Sequence, residues 1–502
     1  MAGEIGTVSE RFRAPLAERL AAYAAGRPCR LHIPGHKGRG GTTKDGDPAG
    51  GPWSAWFVWD VTEIEGLDNL HEPEGVIAEA QRLAAACFGA EEAFFLVGGA
   101  TAGNLATILA LCDPGDLLVV QRDAHQSVLH GLQLAGARAV FVSPQVCPCS
   151  GLPAGVRPED VRSALERYPE AKAVLLTDPN YYGAGSDMRA LAEIAHAVDK
   201  PLVVDAAHGA HYGFHPGLPP SALACGADAA VLSAHKSLPV LTMGALLAVR
   251  GGRMPKDELQ RALRMVETSS PSYPVMASLD LARAWLDRNG ASAWEPALEA
   301  VRRLRERLAG LPRFREWDGR TAATKDPLKV ALYDAAAALD GFRLKRELEQ
   351  RGCYPEMADA RFVLCAFGAG SRTQDADRLA DALEEIDRAL AVEGGRSAGG
   401  GPKSAYAIGE AFAALPAVSE PVAFSRRPPR SVERVPLEDA VGRTAAEPIV
   451  PYPPGVPVVM PGEKITSGAV RALVALRELG CRFVGAVQAG TVACLLPNRI
   501  SI

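Results

Sequence analysis

The chain has 502 residues, a formal net charge of −5 and 48% hydrophobic residues. This length predicts two to four domains, and this hydrophobic content is too high for a disordered chain. Acidic and basic residues are nearly balanced and interspersed, which argues against a nucleic-acid partner. No apolar run could span a membrane, and the N-terminus lacks a signal-peptide pattern. We therefore expect a cytoplasmic protein without a membrane partner.

Ten cysteines are scattered along the chain, and only Cys147 and Cys149 form a close pair, in the sequence Cys-Pro-Cys. No second pair stands at the spacing of a zinc site, so no metal site is predicted. Reduced, buried thiols are the main interpretation of the cysteines. A redox or metal pair at Cys147 and Cys149 is the alternative.

Residues 1–50 predict an N-terminal arm, with a short helix at Pro15–Ala25 and a Gly- and Pro-rich loop that carries His36. Residues 51–290 predict a large domain. It begins with an aromatic cluster, an acidic stretch at Asp60–Gly75 and an amphipathic helix at Val76–Phe88. The acidic stretch is either a solvated surface or, in an enzyme with a cationic substrate, a recognition element.

Between residues 91 and 250, apolar runs typical of strands alternate with helical patterns. The seven runs are 93–97, 117–121, 138–142, 173–177, 201–205, 228–233 and 244–249. This alternation predicts an α/β fold with a mostly parallel sheet that helices cover on both faces. Only a short segment separates the last two runs, which leaves no room for a crossover helix, so the last strand is expected to run antiparallel.

The remaining chain predicts two smaller units. Residues 291–390 combine charged helices with short apolar runs and fit a small α/β domain. Residues 391–403 have the composition of a linker. Residues 404–502 predict a third, C-terminal α+β domain, which contains a proline-rich segment that favours a rigid loop.

Polar residues follow five of the predicted strands at the point where each strand ends. These strand ends carry Gly98–Asn104, Asp123–His125, Asp178–Gly183, Asp205–Gly209 and Ser233–Lys236. Ligands of parallel sheets bind at the carboxyl ends of the strands, so these segments predict one common site.

Lys236 is the most informative residue of this set. An ammonium group just beyond a buried strand is costly unless it is paired, but a neutral amine there can bond covalently to a carbonyl. We interpret Lys236 as the lysine that forms an imine with pyridoxal 5'-phosphate (PLP). Asp205 can then pair with the ring nitrogen, His125 can stack on the ring, and Thr101 and Ser233 can bind the phosphate.

Each of these side chains also has an ordinary structural interpretation. Asp205 could cap a helix, His125 could be a core histidine, Ser233 could end a strand and Lys236 could lie on a surface loop. The PLP interpretation depends on their convergence at one edge of the sheet.

The chain resembles the Orn/Lys/Arg decarboxylase family, in its short form without an N-terminal wing domain. The resemblance runs from about Leu31 to Ala486. It is carried by HIPGHKGRGG, DVTEIEGLDNLHEPEG, FFLVGGATAGN, RDAHQSV, VVDAAHGAHYGFHP, SAHKSLPVLTMGALL, SSPSYPVMASLDLARA, YPEMAD and PYPPGVPVVMPGE. It implies the PLP-dependent transferase fold of type I and a homodimer or higher oligomer with active sites at the dimer interface.

The resemblance also implies roles for individual residues. Lys236, His125 and Asp205 are the implied catalytic residues. The implied cofactor-binding residues are Lys236, Ala100, Thr101, His125, Asp205, His208, Ser233, His235 and Ser270, the last reaching the neighbouring subunit's cofactor. His36, Glu356 and Glu463 are candidates on the substrate side.

Four positions depart from the family pattern. Ala100 stands where the family has Ser or Thr, Ala206 where it has Glu, Asp178 where a neutral residue is common, and Met243 where Gln is common. These departures bear on rate and substrate choice more than on cofactor binding.

The expected function is PLP-dependent decarboxylation of arginine, lysine or ornithine to the corresponding diamine or polyamine precursor and CO2. The alternatives are an aminotransferase or another PLP lyase on the same fold, and a catalytically silent PLP-binding member. The sequence does not choose among the three basic amino acids.

Overall fold

The computed structural model describes residues 8–39, 55–392, 415–427, 429, 431–452, 457–478, 481–484 and 490–496. Helices α1–α13 are Val8–Arg11, Pro15–Ala25, Val76–Phe88, Gly99–Leu111, Gln126–Ala135, Pro158–Arg167, Met188–Ala197, Lys256–Val266, Tyr273–Asn289, Glu295–Ala309, Gly341–Gln350, Thr373–Val392 and Ser467–Glu478. Strands β1–β18 are Glu92–Leu96, Leu117–Gln121, Arg138–Val142, Val174–Thr177, Ala184–Gly185, Leu202–Asp205, Ala229–Leu232, Ala245–Val249, Phe314–Glu316, Thr324–Lys325, Lys329–Asp334, Met357–Ala358, Val363–Ala366, Val422–Ala423, Val432–Pro436, Val450–Tyr452, Arg482–Val484 and Thr491–Leu495.

A large sheet forms the centre of the chain, with strand order β1-β8-β7-β6-β4-β2-β3-β14. Strands β7, β6, β4, β2 and β3 pair in parallel, whereas β8 pairs antiparallel with both β7 and β1. All seven predicted strands are present in this sheet, and the predicted antiparallel strand is β8. The prediction of a mostly parallel α/β sheet is therefore confirmed.

The sheet has an eighth strand that the sequence pattern does not predict. Strand β14 has only two residues and pairs antiparallel with β3 through Val422 and Ala423. A strand this short has no alternation to detect, and it comes from the segment that follows the predicted linker. The C-terminal part of the chain therefore covers an edge of the central sheet, which protects that edge from pairing with another chain.

Both faces of the sheet are buried, as its uniformly apolar strands require. On one face, Leu118 and Val120 of β2 pack in a core with α4, α5 and α8. On the other face, Leu117 and Val119 pack in a core with α3, α6, α7 and α9. Adjacent strand residues point to opposite faces, so a continuous apolar run serves both cores.

Two smaller units adjoin the central sheet. An antiparallel sheet of order β12-β13-β11-β9 packs with α10, α11 and α12. Near the C-terminus, β15 pairs with β18 and β16 pairs with β17, and α13 packs in the core of this unit. The boundaries at 50, 290, 390 and 403 stay predictions. Residues 40–50 and 393–403 lie outside the described residues.

Among the helices of the described ranges, none combines the length and the apolar character that a membrane span needs.

Close packing of α4 on the sheet positions the carboxyl edge of the strands. Gly103 lies in α4, where an added Cβ would come within 2.8 Å of Leu96 Cδ1 and of Val231 Cγ1. Only a residue without a side chain allows α4 to lie this close to β1 and β7.

We expect Gly103→Val to destabilise the protein by about 1–3 kcal/mol, because the added atoms overpack a filled core. Gly370→Val is a suitable control, since Gly370 is exposed and nothing lies within 4 Å of an added Cβ there. Chemical denaturation of both variants measures the effect. Equal stabilities of the two variants would contradict the predicted close packing.

Candidate active site

A cavity of about 300 Å³ lies at the carboxyl edge of the central sheet. Its walls come from the segments that follow β1, β2, β4, β6 and β7, together with Pro153 after β3 and the residues that precede β8. The residues that line it are Gly98, Gly99, Ala100, Thr101, Asn104, Asp123, His125, Ser127, Pro153, Thr177, Asn180, Tyr181, Tyr182, Asp205, Ala207, His208, Ser233, His235, Lys236, Thr242 and Met243. The five polar strand ends predicted from the sequence therefore meet around one cavity.

Lys236 enters this cavity from a single 3₁₀ turn, Ala234–Lys236, that follows β7. Its Nζ lies 3.0 Å from His208 Nε2 and 6.0 Å from the centre of the Tyr181 ring. The rings of Tyr181 and His208 are tilted against each other, with their centres 4.5 Å apart. The amine is thus held between an imidazole and a phenol ring at the cavity wall.

The surroundings of Lys236 favour its neutral form. Burial lowers the pKa of Lys236, the charge of Lys329 lowers it further, and the charge of Asp205 opposes both. Burial and the Lys236 charge also lower the pKa of His208 well below its usual value. The imidazole is therefore neutral, and its Nε2 shares a hydrogen bond with the amine.

Asp205 ends β6 and lies in a chain of hydrogen bonds. Its Oδ2 accepts from Asn104 Nδ2 at 2.9 Å, and its Oδ1 accepts from the Ala207 N–H at 3.1 Å. Asn104 Nδ2 also donates to Ser127 Oγ at 2.9 Å, and Ser127 Oγ lies 2.8 Å from His125 Nδ1. These bonds fix the Asp205 carboxylate and the His125 ring relative to each other.

The first turn of α4 forms another wall of the cavity. Gly98 is the N-cap residue of this helix, and its N–H donates to both carboxylate oxygens of Glu267, at 3.1 and 2.9 Å. Gly99 adopts a φ of 75°, which favours glycine. No N-cap side chain satisfies the N–H groups of the first turn. Such a helix start suits an anionic ligand.

Comparison with known proteins agrees with this geometry. The family description "Orn/Lys/Arg decarboxylase, major domain" matches residues 14–329, and the description of the C-terminal domain of that family matches residues 408–488. The chain belongs to the Orn/Lys/Arg decarboxylase family. It is an enzyme of the decarboxylase class, and the family prediction is confirmed.

Two curated relatives illustrate the spread of the family. The arginine decarboxylase of Bacillus subtilis is 35% identical over 458 residues, which cover 90% of this chain and 91% of that protein. The lysine decarboxylase LdcA of Pseudomonas aeruginosa is 24% identical over 573 residues, which cover 93% of this chain and 76% of that protein. The arginine decarboxylase is thus the nearer of these two relatives.

The lysine decarboxylase LdcF of Francisella novicida has a similar structure. Its TM-score is 0.79 at 18% sequence identity, and the match covers 97% of this chain and 81% of LdcF. Together with the mostly parallel sheet, this likeness confirms the predicted fold class.

Eight of the nine predicted cofactor-binding residues line the cavity. Ser233 and His235 lie beside Lys236, and Ala100 and Thr101 lie in the first turn of α4. Ser270 does not line it. This residue is exposed in the loop between α8 and α9, where its N–H donates to Thr268 Oγ1 at 3.2 Å. The predicted contact of Ser270 with a neighbouring subunit stays a prediction.

The three substrate-side candidates lie outside the cavity lining. His36 stacks on Phe57 and lies 3.1 Å from an Asp60 oxygen. Glu463 forms an ion pair with buried Arg122. Glu356 lies nearest to the site, because its Oε1 accepts a hydrogen bond at 2.5 Å from Tyr181, a lining residue. Of the three, Glu356 has the most direct connection to the cavity.

The acidic stretch at Asp60–Gly75 also does not line the cavity. Its Asp68 has a structural task, because its carboxylate accepts backbone hydrogen bonds from Gly75, Ile77 and Ala78 at the start of α3. His71 Nε2 lies 2.8 Å from the Thr268 carbonyl oxygen and connects the stretch to the loop that carries Ser270.

The sequence did not single out several residues that shape the site. The sequence gives no separate role to Asn104, the last residue of the Gly98–Asn104 segment, yet its side chain connects Asp205 to Ser127. Glu267 and Tyr181 likewise act through partners far away in the chain. The described residues contain no group of three or more His, Cys, Asp or Glu side chains that could hold a metal ion.

Asp178 departs from the family pattern and is buried directly behind the cavity lining. Its Oδ2 accepts a hydrogen bond from the Ser186 N–H at 2.6 Å. Burial raises the pKa of Asp178 to about 7, against the effect of that hydrogen bond. The protonated carboxyl therefore behaves as a neutral group over much of the acidic range, as the residues common at this position do.

Replacement of Asp178 by Asn is expected to stabilise the protein at alkaline pH. An acid with a raised folded-state pKa contributes stability that is fully present below its unfolded pKa and is lost as the pH rises through about 7. Asp178→Asn keeps the acceptor for Ser186 and removes this loss. Its free energy of unfolding should exceed that of the wild type by about 1–3 kcal/mol near pH 8, with a smaller difference near pH 4.

Denaturant unfolding at several pH values measures this difference. Asp178→Ala is the control, because it also removes the carboxyl but leaves the Ser186 N–H unpaired, so it should be less stable than Asp178→Asn at every pH. If the difference in the free energy of unfolding between the wild type and Asp178→Asn does not change with pH, the pKa of the Asp178 carboxyl is not raised in the folded protein.

Proposed function

We propose that the chain is a PLP-dependent decarboxylase of a basic amino acid, with arginine as its first candidate substrate. The observation that supports this most directly is the meeting of the Lys236 amine, the Asp205 carboxylate and the uncapped start of α4 around one cavity. These groups match the aldehyde, the ring nitrogen and the phosphate of PLP in chemical type. The products would be CO2 and the amine that serves as a diamine or polyamine precursor.

The residues of the cavity fit PLP. Lys236 would hold it covalently, since burial lowers the pKa of its amine and so favours the neutral, nucleophilic form. The first turn of α4, with Ser233 beside Lys236, would hold the phosphate. His208 Nδ1 is buried and has no hydrogen-bond partner among the described residues, so this nitrogen is available for a hydrogen bond with a bound ligand.

PLP, when bound, accepts the electron pair that is released when the bond between Cα and the carboxylate breaks. The task of Asp205 is to hold a proton at the ring nitrogen, which makes the ring a better electron acceptor. His208 orients the Lys236 amine through the 3.0 Å contact without adding a negative charge beside it. Lys236 can then carry a proton to or from the reacting carbon at the cavity wall.

A basic substrate is supported by charge and by relatedness. The exposed Glu356 carboxylate reaches the cavity through Tyr181, and an anion at that position attracts the distal cation of a basic amino acid. The curated relative at 35% identity is an arginine decarboxylase, whereas the lysine decarboxylase LdcA is 24% identical. Arginine is therefore placed ahead of lysine and ornithine.

We further propose a cytoplasmic homodimer with active sites at the interface. Met243 lines the cavity and is 52% exposed, which leaves apolar surface at the rim of the site. A second copy of the chain would cover it, and the exposed Ser270 loop would contact that copy. Burying such surface against a partner is favourable.

Incubation of the purified protein and PLP with arginine, lysine or ornithine tests the proposal. We expect an amine product and CO2 from at least one substrate, with arginine giving the highest kcat/KM. Lys236→Ala should lower the rate at least about 10³-fold and abolish the visible absorbance of the bound cofactor.

Transfer of the amino group to a keto acid would instead indicate an aminotransferase. Absence of any product, together with unchanged absorbance in Lys236→Ala, would indicate a silent family member.

Asp205→Asn is expected to lower kcat by about 10²-fold or more, because an amide does not hold a proton on the ring nitrogen. Asp228→Asn is the matched control. Asp228 is a buried carboxylate at the opposite end of the same sheet, where it accepts a hydrogen bond from the Leu202 N–H at 2.8 Å. Steady-state kinetics with saturating PLP compares the two. Similar kcat losses would mean that stability, and not the position of Asp205, explains the effect.

A further inference from the structure

Cys147 and Cys149 lie at the tip of a hairpin that leads from β3 to the cavity. The Cys147 N–H donates to the Leu152 carbonyl at 2.9 Å, and the Ser150 and Gly151 N–H groups donate to the Cys147 carbonyl at 3.3 and 2.8 Å. This turn brings the two sulfur atoms to 3.1 Å from each other, which is close for two non-bonded sulfurs. The Cys-Pro-Cys sequence is thus folded so that its thiols face one another.

The two thiols differ in access and in charge. Cys147 is 1% exposed, whereas Cys149 is exposed at the surface. Burial alone would raise the pKa of Cys147, but hydrogen bonds from Ser150, Thr321 and Cys149 outweigh it and lower the pKa to about 6. The hydrogen bond with Cys147 is the main cause that raises the pKa of Cys149. At neutral pH, Cys147 is mostly a thiolate.

We propose that Cys147 and Cys149 are a reversible redox modification site, which a low-molecular-weight disulfide converts to an internal disulfide. The exposed Cys149 reacts as a thiolate, which forms when the proton of the hydrogen-bonded pair moves to Cys147. This thiolate attacks the disulfide RSSR, gives a Cys149–S–SR mixed disulfide and expels RS⁻, which takes the proton from Cys147 and leaves as RSH. The Cys147 thiolate then attacks the Cys149 sulfur, forms the Cys147–Cys149 bond and expels RS⁻, which takes up a proton. At neutral pH the pair loses two electrons and its one proton, and RSSR with one further proton from solvent becomes two RSH.

The hairpin connects this pair to the cavity. Pro153 lines the cavity, and its carbonyl accepts a hydrogen bond at 2.8 Å from Asn180 Nδ2, another lining residue. The Cys149 carbonyl accepts from Arg361 Nη1 at 2.8 Å. Oxidation removes the thiolate that Ser150 and Thr321 stabilise and constrains the turn. We therefore expect formation of the disulfide to shift the cavity wall at Pro153. The resulting change in catalytic rate rests on the proposed function.

Disulfides in reducing compartments are usually transient and often sense redox state. This pair has one accessible sulfur and one adjacent sulfur, and the two share a proton. The accessible sulfur can capture the oxidant, and the adjacent one can resolve the adduct. Cys29 provides an internal reference, because it is an exposed cysteine that is not part of this pair.

The test incubates the PLP-loaded protein near pH 7 with oxidised glutathione, alkylates the remaining thiols and maps them by mass spectrometry. We expect alkylation at Cys147 and Cys149 to fall together by about tenfold, with the loss of two hydrogen atoms from their peptide and recovery after addition of a thiol reductant. Cys29 should instead acquire a glutathione adduct.

Two variants separate the steps. Cys147→Ser should retain a stable glutathione adduct on Cys149, because the resolving thiolate is absent. Cys149→Ser should leave Cys147 reduced and alkylated only after unfolding, since the buried sulfur is not accessible. Cys29→Ser should leave formation of the internal disulfide unchanged.

The proposal is overturned if Cys147 and Cys149 stay reduced while Cys29 is modified, or if a stable adduct on Cys149 accumulates in the wild type. These readouts do not depend on the substrate or on catalysis. The coupling to the cavity is measured separately, as a reversible change in decarboxylation rate that Cys149→Ser abolishes. Oxidation of the pair with an unchanged rate would refute the coupling and leave the modification site established.

Discussion

The burial of one amine governs the arrangement of the site. Lys236 could have been paired with a carboxylate at contact distance, which would have kept it charged. Its hydrogen-bond partner is instead the His208 imidazole, whose pKa burial lowers well below its usual value. The partner of the amine is therefore a neutral ring and not a carboxylate that would stabilise the ammonium form. Burial lowers the pKa of Lys236 and so favours the neutral amine, which is the form that can bond to a carbonyl.

The parallel sheet makes this arrangement possible. Five strand ends deliver polar side chains to one edge, while the strands themselves form two apolar cores. Asp205 is kept near Lys236 because β6 and β7 are neighbours, with Asp205 in register with Val231. Asn104 then holds the carboxylate from α4, which Gly103 allows to pack closely on the sheet. Rigid strands and close helix packing hold the charged groups without a flexible loop.

The sequence predicts most of the sheet and the central residues of the site, because both depend on local patterns. Apolar runs that end in polar residues locate the strands, Lys236 and Asp205. Contacts between distant segments have no such pattern. The bond from Gly98 to Glu267 joins residues 169 positions apart, and the ion pair of Arg122 and Glu463 joins residues 341 apart. Strand β14 was missed for the same reason, since a two-residue strand is defined only by its partner β3.

The Arg122–Glu463 pair also gives the C-terminal part of the chain a role at the cavity edge. Arg122 is fully buried, directly between β2 and the lining residue Asp123, and Glu463 is its ion-pair partner. Glu463 Oε2 additionally accepts from the Met460 N–H at 2.8 Å, which fixes its carboxylate. Without Glu463, a guanidinium would be buried without its carboxylate partner, at a cost of about 3–5 kcal/mol. The C-terminal segment therefore neutralises a buried charge that directly follows β2, one residue before the lining residue Asp123.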